Sequence, residues 1–197
     1  MQRRDFMLKT AASFAVTGLL SAGCTTSATT SSTPGMTDSA KRHHGIDTEA
    51  SAALSRLNTM AKGSRELVAK ASGVLVFPSV IAAGLGIGGQ YGEGVLRVHN
   101  LPPEYYSLAS LSVGLQIGAQ SKAIIFLFMT QDALNKFRGS EGWRVGADAS
   151  VAVLKVGADG NVDVSAASGP VTAFVLENAG LMANLTLEGT KITPLKN

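Results

Sequence analysis

The chain contains little of the chemistry that most enzymes and disulfide-stabilised domains use: one cysteine, three histidines and one tryptophan among 197 residues. A single cysteine excludes an internal disulfide, so the fold must be stabilised by buried apolar side chains. No segment is apolar over about 18 consecutive residues, so the sequence predicts no transmembrane helix. Basic residues form no stripe with interleaved aromatic residues, which excludes the usual pattern of nucleic-acid binding.

The one cysteine, Cys24, ends a short apolar segment that follows a basic N-terminus. Arg3 and Arg4 precede the apolar stretch 11–18, and Leu-Ser-Ala-Gly leads directly to Cys24. This order predicts an export signal over residues 1–23 that is removed. The segment resembles the lipobox of bacterial lipoproteins, and that resemblance implies acyl chains such as palmitate on Cys24. The alternative for a lone cysteine is a small buried side chain.

The first residues also bear on the export route and the destination. Arg3-Arg4-Asp5-Phe6-Met7 resembles the twin-arginine motif, although Gln2 replaces its usual Ser or Thr, so export by the Sec route stays an alternative. Thr25 after the cysteine resembles the pattern of lipoproteins sent to the outer membrane. We therefore expect the mature protein to lie at the periplasmic face of the outer membrane, attached through its lipid.

Most of the net positive charge belongs to the predicted signal. The whole chain carries +3, and residues 1–23 hold three basic residues and one acidic residue, a net of +2, so the remainder carries about +1. The sequence pI of about 9.1 is therefore no evidence for a basic binding surface. We expect no nucleic-acid partner.

Residues 24–45 are predicted to be the lipidated cysteine and a flexible tether. Ten of the 21 residues from 25 to 45 are Ser or Thr, and such a segment cannot bury enough apolar surface to offset its chain entropy. His43 and His44 lie in this segment without nearby Cys, Asp or Glu ligands. They indicate a solvated pair rather than a metal site, and the sequence gives no other reason to expect a metal or a cofactor.

Residues 46–72 show the periodicity of an amphipathic helix. Asp47 or Thr48 is a predicted N-cap, and Gly63 is expected to weaken the middle or to divide the segment into two helices. The predicted apolar face consists of Ile46, Ala50, Ala53, Leu54, Leu57, Met60, Ala61, Leu67, Val68 and Ala71. Four basic residues, Arg56, Lys62, Arg65 and Lys70, point in different directions around this helix. We expect the helix to pack on a sheet, with a membrane-binding face as the alternative.

From Val74 onward the apolar period changes to two, which is typical of strands. Leu111 to Gln120 alternates most clearly, with Leu111 on the face expected to be buried; 145–153 and 181–187 repeat the pattern. The continuous apolar run 123–129 predicts a strand buried on both faces. Asp159-Gly160-Asn161 predicts a turn, and Gln131–Phe137 a short helix opened by Thr130. The predicted fold is α+β: a curved antiparallel or barrel-like sheet with N-terminal amphipathic helices and one short internal helix.

Glycines alternate along the predicted strand 84–94 and weaken it. A tightly curved sheet explains them; a groove in which a ligand such as an acyl chain approaches the backbone is the alternative. The stretch 84–89 also fits the G-x-G-x-x-G fingerprint of dinucleotide-binding loops. That fingerprint requires a following helix, and the glycine-rich residues 90–96 are poor helix formers, so we attribute the match to chance.

Catalytic machinery is nearly absent from the sequence. His99 is the only histidine after the predicted tether, and its neighbours predict a turn, so it is a weak candidate for the base of a Ser-His-Asp triad. No common hydrolase, zinc or P-loop motif occurs. Asp148 interrupts an apolar strand predicted from Trp143 to Val156, and we expect it to bind backbone amides or Ser150 as a structural residue. The sequence therefore predicts a protein that is not an enzyme.

Several stretches together resemble the SYLF domain family over residues 48–192. They are Ala71-Ser72-Gly73-Val74-Leu75-Val76-Phe77-Pro78, Ala83-Gly84-Leu85-Gly86-Ile87-Gly88-Gly89, Gly92-Glu93-Gly94-Val95-Leu96, Val113-Gly114-Leu115-Gln116-Ile117-Gly118-Ala119-Gln120 and Val145-Gly146-Ala147-Asp148-Ala149-Ser150-Val151. The resemblance implies a single non-catalytic lipid-binding domain at residues 46–197. Tyr105-Tyr106-Ser107 stands where the family commonly has a tryptophan-serine pair. The helix lacks a coherent basic face, so the phosphoinositide preference of eukaryotic relatives is not carried over, nor is actin bundling.

From these features we expect a periplasmic lipoprotein whose domain binds phospholipid membranes, most readily anionic ones. The expected contact residues are Arg56, Lys62, Arg65 and Lys70 on the helix, with Tyr105 and Tyr106 as exposed aromatic side chains. The alternative function is a structural lipoprotein that binds a protein partner in the cell envelope.

Overall fold

The computed structural model describes residues 37–154, 162, 169–177, 180–181 and 187–196. It confirms the predicted α+β class, with helices at the start of the described chain and a curled sheet after them. The elements are α1 (Asp38–Met60), α2 (Ser64–Lys70), β1 (Gly73–Arg97), β2 (Glu104–Phe128), α3 (Gln131–Arg138), β3 (Trp143–Arg144), β4 (Val151–Val153), β5 (Val171–Glu177), β6 (Gly180–Leu181) and β7 (Lys191–Pro194).

The sheet is organised around one long antiparallel hairpin. Strands β1 and β2 have 25 residues each and pair from Gly73↔Phe128 to Leu96↔Glu104. On its other edge β2 carries β7 along 106–109 and β5 along 123–128. The order is β3-β7-β2-β5-β4, with β6 on β5, and every pairing is antiparallel except that of β4 with β5. Near each of its two ends, β2 therefore pairs with a further strand besides β1.

The hairpin doubles back on itself. A straight strand of 25 residues spans about 80 Å, yet Gly94 lies against Val76 and Phe77 of its own strand. A Cβ on Gly94 would overlap the Val76 carbonyl oxygen and stand 2.6 Å from Phe77 Cδ1, and a Cβ on Gly92 would stand 2.8 Å from the Ser79 carbonyl oxygen. Irregularities in register at 77–80 and 84–86 bend the strand further. At Gly92 and Gly94 the curved-sheet interpretation of the glycines is therefore confirmed.

Both faces of the sheet's centre are buried, as the apolar run 123–129 predicts. Odd-numbered residues of β2 in this run pack with α1 and α2, while even-numbered ones pack with α3 and Trp143. The first cluster includes Ile46, Ala50, Leu57, Leu67, Val76, Ile125, Leu127 and Phe174. The second includes Phe77, Leu108, Phe126, Phe128, Leu134, Phe137, Trp143 and Ile192. Burial on both faces explains why these strands contain almost no polar side chains.

The N-terminal helical region is confirmed as two helices, but it begins earlier than predicted. Helix α1 starts at Asp38, because Thr37 is the N-cap and its hydroxyl accepts from the amide of Ala40. Residues 38–45 are thus helical, and the prediction of a tether up to residue 45 with a cap at Asp47 or Thr48 is wrong there. The contacts that α1 makes with the sheet supply the stability that composition alone did not indicate. Gly63, at φ +86°, separates α1 from α2 as predicted.

Two local predictions after β2 have different outcomes. The short helix is confirmed as α3, with Thr130 as N-cap and Gly139 as C-cap. The continuous strand predicted from Trp143 to Val156 is wrong, because Gly146 at φ +89° turns the chain between β3 and β4. Asp148 has the predicted structural role: its carboxylate accepts from the backbone amide of Arg144 at 2.5 Å. It is exposed, however, and not buried in a strand.

Some predictions fall on residues outside the described ranges. They are the signal 1–23, Cys24 and the first part of the tether, the turn at 159–161 and most of the predicted strand 181–187. Among the residues that are described, no helix is long and apolar enough to cross a membrane.

Candidate functional site

The four basic residues predicted to contact lipid are all exposed, but they do not form one surface. Arg56 on α1 donates to the backbone carbonyl of Glu177 at 3.0 Å. Lys62 lies in the connection between the helices. Arg65 and Lys70 on α2 are five positions apart, which places them about 140° from each other around the helix. The structure therefore gives this helical region no concentrated basic face.

The prediction that Tyr105 and Tyr106 are exposed is wrong. Tyr106 is 4% exposed and packs against Phe137, with ring centroids 4.9 Å apart. Its hydroxyl donates to Glu104 at 2.8 Å, and burial followed by this bond raises its pKa. Tyr105 lies under α1, where burial and then its hydrogen bond to Asp47 raise its pKa to about 12. Adjacent strand residues face opposite sides, and here both sides are covered.

The middle of the hairpin has no third strand among the described residues. Of the described strands, only β1 pairs with residues 110–122 of β2, since β7 ends its pairing at Ala109 and β5 begins at Ala123. Leu111 lies at the base of this two-stranded ribbon and is 86% exposed. The prediction that its face is buried is wrong at Leu111, because no described residue covers this side chain. The rest of the predicted alternation, 112–119, falls on side chains that are not described. A single exposed leucine is ordinary, but a contiguous exposed apolar patch points to an interaction site, so the neighbours of Leu111 matter.

An open apolar cavity of about 710 Å³ lies beside Leu111. We call it the notch; its lining includes Ile81, Tyr91, Leu111, Arg144 and Lys191. The apolar members are Ile81, 57% exposed, Tyr91, 50% exposed, and Leu111 itself. A Cβ on Gly89, which also lines the notch, would meet only the Ser110 carbonyl oxygen at 3.7 Å and Leu111 Cδ2 at 3.9 Å. The alternating glycines Gly84, Gly86 and Gly88, whose face the sequence offered as an alternative groove, are not among the described residues that line the notch.

Strand register brings two cations to the notch. Tyr91 pairs with Ala109, Ala109 with Lys191, and Lys191 with Arg144, so that the four residues form one row across β1, β2, β7 and β3. Residues directly opposite each other project from the same face, and like charges in such pairs repel. Neither Arg144 nor Lys191 forms an ion pair with another described side chain. The row is therefore suited to an anionic group held next to an apolar surface.

The described residues offer no comparable site for catalysis or metal binding. His99 is exposed in the loop between β1 and β2 and makes no hydrogen bond to a described Ser or Asp, so a triad is not assembled around it. Within the same residues no group of three His, Cys, Asp or Glu could hold a metal ion. The glycine-rich stretch 84–89 continues as strand β1 instead of opening a helix, which removes the dinucleotide-loop interpretation.

The residues of the notch were not predicted, for identifiable reasons. Arg144 and Lys191 are 47 positions apart in sequence and lie on very short strands, so only the register reveals that they are neighbours. Leu111 was recognised as part of an apolar face, but an alternating pattern does not tell whether anything covers that face.

Comparison with known proteins connects this chain to a family. Residues 109–197 match the family model Ysc84, described as Las17-binding protein actin regulator. The chain is 27% identical over 136 residues to SH3 domain-containing YSC84-like protein 1 of Xenopus laevis, which covers 66% of this chain and 40% of the relative. It is 26% identical over 134 residues to LAS seventeen-binding protein 3 of Saccharomyces cerevisiae, which covers 64% of this chain and 29% of the relative.

The match spans less than half the length of these curated relatives. The yeast relative is named for binding another protein, and neither name denotes a reaction. The family model and the relatives agree with the motifs noted in the sequence, and they confirm the resemblance to the SYLF (Ysc84) domain family, with the model matching residues 109–197.

Proposed function

We propose that this protein is a non-catalytic lipoprotein whose domain binds phospholipid membranes, preferring anionic ones, through the notch. In this proposal an acylated Cys24 holds the protein at the periplasmic face of the outer membrane. The observation that carries it is the exposed apolar group of Ile81, Tyr91 and Leu111 directly beside Arg144 and Lys191. Apolar side chains that enter the acyl region, next to cations at headgroup level, are the usual composition of a peripheral membrane contact.

The expected affinity is weak. Full burial of a leucine side chain is worth about 1.5–3 kcal/mol, and each Lys or Arg near an anionic leaflet about 1 kcal/mol. Scaled by their exposed fractions and taken at the lower end of this range, Ile81, Tyr91 and Leu111 with the two cations give roughly 5 kcal/mol. That corresponds to a dissociation constant of about 0.1–1 mM. An acyl anchor raises the effective concentration of membrane to the millimolar range, so contacts of this strength are sufficient.

Vesicle co-sedimentation tests the proposal. The mature chain, residues 24–197, is prepared with Cys24→Ser so that no acyl group contributes. It is expected to pellet with anionic vesicles at low salt, more than with zwitterionic ones. Leu111→Ser should weaken binding about fivefold or more, whereas Leu101→Ser is the matched control. Leu101 is also exposed, at 45%, but lies in the loop between β1 and β2, away from the notch.

Charge-reversal variants separate the notch from the helical region predicted from sequence. Arg144→Glu should weaken binding to anionic vesicles, and Arg65→Glu should do so much less. The reverse result would move the contact to α2 and refute the notch as the binding surface. Background pelleting with every vesicle composition at low salt would refute lipid binding itself.

Protein binding is the second candidate function, because the family model and the yeast relative are both described by binding to Las17. For this chain the corresponding proposal is a protein partner in the cell envelope that covers the apolar notch. Crosslinking in cells followed by identification of partners distinguishes the two. A stoichiometric partner that is lost in Leu111→Ser, together with no vesicle binding, would favour the protein partner.

A further inference from the structure

Tyr91 connects the notch to the first turns of α1. Its ring forms one wall of the notch, and its hydroxyl donates to Glu93 Oε1 at 2.8 Å. Glu93 is in turn held by Arg42 of α1, whose Nε donates to Oε2 at 2.7 Å and whose second guanidinium nitrogen contacts Oε1. Glu93 and Tyr91 lie two positions apart on β1. A chain of three polar contacts thus runs from the helix to the proposed lipid site.

We propose that Arg42 and Glu93 are positioning residues for the notch, which fix the Tyr91 ring in the orientation that completes its wall. The expected effect on lipid binding rests on the proposed function. The orientation of the Tyr91 ring does not, and it can be tested separately. Arg42 does not line the notch. It acts on Tyr91 through Glu93 and through its own contact with the Tyr91 hydroxyl.

The geometry explains why Tyr91 needs support. Half of its surface is exposed, so packing restrains its ring only in part, and an unrestrained ring would lose rotamer freedom on binding. A carboxylate that is itself fixed by a two-pronged guanidinium contact supplies that restraint before the ligand arrives. The Glu93 side chain is only 17% exposed, whereas that of Arg42 is 57% exposed. The Arg42 hydrogen bond lowers the pKa of Glu93, so this carboxylate stays ionised at pH values where an ordinary glutamate begins to take up a proton.

A second contact between α1 and β1 provides a matched control. Arg97 of β1 donates to the backbone carbonyl and the carboxylate of Asp47 on α1, at 2.9 and 3.2 Å. This contact ties α1 to β1 as the Arg42–Glu93 pair does, but it does not involve Tyr91. Arg97→Ala removes one cation and one attachment of α1, the same change that Arg42→Ala makes, and leaves the Tyr91–Glu93 bond in place.

The experiment compares Arg42→Ala, Glu93→Gln and Arg97→Ala in the mature Cys24→Ser chain by two measurements. The first is binding to anionic vesicles, expected to weaken about threefold to tenfold in Arg42→Ala and clearly less in Arg97→Ala. The second is the aromatic-ring NMR signal of Tyr91, which can be resolved because the chain has only three tyrosines. That signal should shift in Arg42→Ala and Glu93→Gln and stay in place in Arg97→Ala. Arg42→Lys, which keeps the charge but not the two-pronged contact, should restore it only in part.

Each outcome decides the inference. Equal losses of binding in Arg42→Ala and Arg97→Ala would show a general effect of charge or of α1 docking and would overturn it. If the unaltered chain binds no vesicles, the proposed function fails, and the Tyr91 signal alone then decides. A Tyr91 ring signal unchanged in both Arg42→Ala and Glu93→Gln would overturn the positioning role whatever the vesicles show.

Discussion

The doubled-back hairpin depends on glycine at position 94, and the substitution Gly94→Ala tests this dependence. The new methyl group would overlap the Val76 carbonyl oxygen and stand 2.6 and 2.9 Å from the ring of Phe77, which is fully buried. Neither group can move away easily, because one is backbone within a paired strand and the other is a ring packed in the core. Either the hairpin opens or Phe77 leaves its position, and both changes also disturb the notch on the same hairpin.

The magnitude follows from overpacking. One extra carbon in a filled core costs about 1–3 kcal/mol, and the lower backbone entropy of alanine in the unfolded chain returns about 0.4–1 kcal/mol. We expect a net loss of about 1–2 kcal/mol, which lowers Tm by roughly 2–8 °C for a domain of this size. Thermal unfolding followed by circular dichroism and urea titration measures both quantities.

Gly45→Ala is the matched control for this prediction. Gly45 is exposed within α1, and a Cβ there would have nothing within 4 Å. Alanine is about 1 kcal/mol more favourable than glycine inside a helix, so Tm should rise by roughly 2–4 °C. If Gly94→Ala were as stable as the unaltered chain while Gly45→Ala rose as expected, the close approach of the two halves of β1 would be wrong.

Two further predictions concern charged groups of the sheet. Lys122 is 7% exposed and burial lowers its pKa, so Lys122→Met should raise the free energy of unfolding by about 1 kcal/mol. The stability of the unaltered chain should also rise with pH between the lowered pKa and 10.5, the ordinary lysine value, a slope that urea titrations should not find in the variant. Hydrogen bonds from Arg138 and then Tyr106 lower the pKa of Glu104 below 4.5. Its stabilising contribution is therefore present above pH 4.5 and lost as pH falls through the lowered pKa, and unfolding at pH 3 and 7 should show a smaller difference in Glu104→Gln.

Sequence patterns predicted the helices and strands well where residue type and the spacing of near neighbours determine them. The divided helix at Gly63, the cap at Thr130 and the run 123–129 buried on both faces follow from residue type and periodicity. The same patterns failed where a contact distant in sequence decides the outcome. Helix α1 begins at Asp38 inside a Ser/Thr-rich stretch, and its first turns are held by Glu93 and Tyr105 on the sheet. Composition alone cannot report those contacts.

For the candidate site, too, sequence patterns predicted some properties and missed others. Sequence motifs carry the resemblance to the SYLF family and the expectation of lipid binding. The contact residues, in contrast, are predicted only from side-chain chemistry and expected exposure. Tyr106 has the right chemistry and lies in the core, while Leu111 was expected to be buried and is the most exposed large apolar side chain described.

The sequence by itself determined the class of the fold, the positions of most helices and strands, and the glycines that allow strand β1 to curl. These properties depend on neighbours a few residues apart, which the sequence lists directly. The tertiary structure alone decided which apolar side chains the described residues leave uncovered and which cations stand beside them. That outcome depends on where β7 and β5 end along β2 and on the register that places Arg144 opposite Lys191. Pairing between distant strands is chosen by the packing of the whole sheet, so no local pattern specifies it.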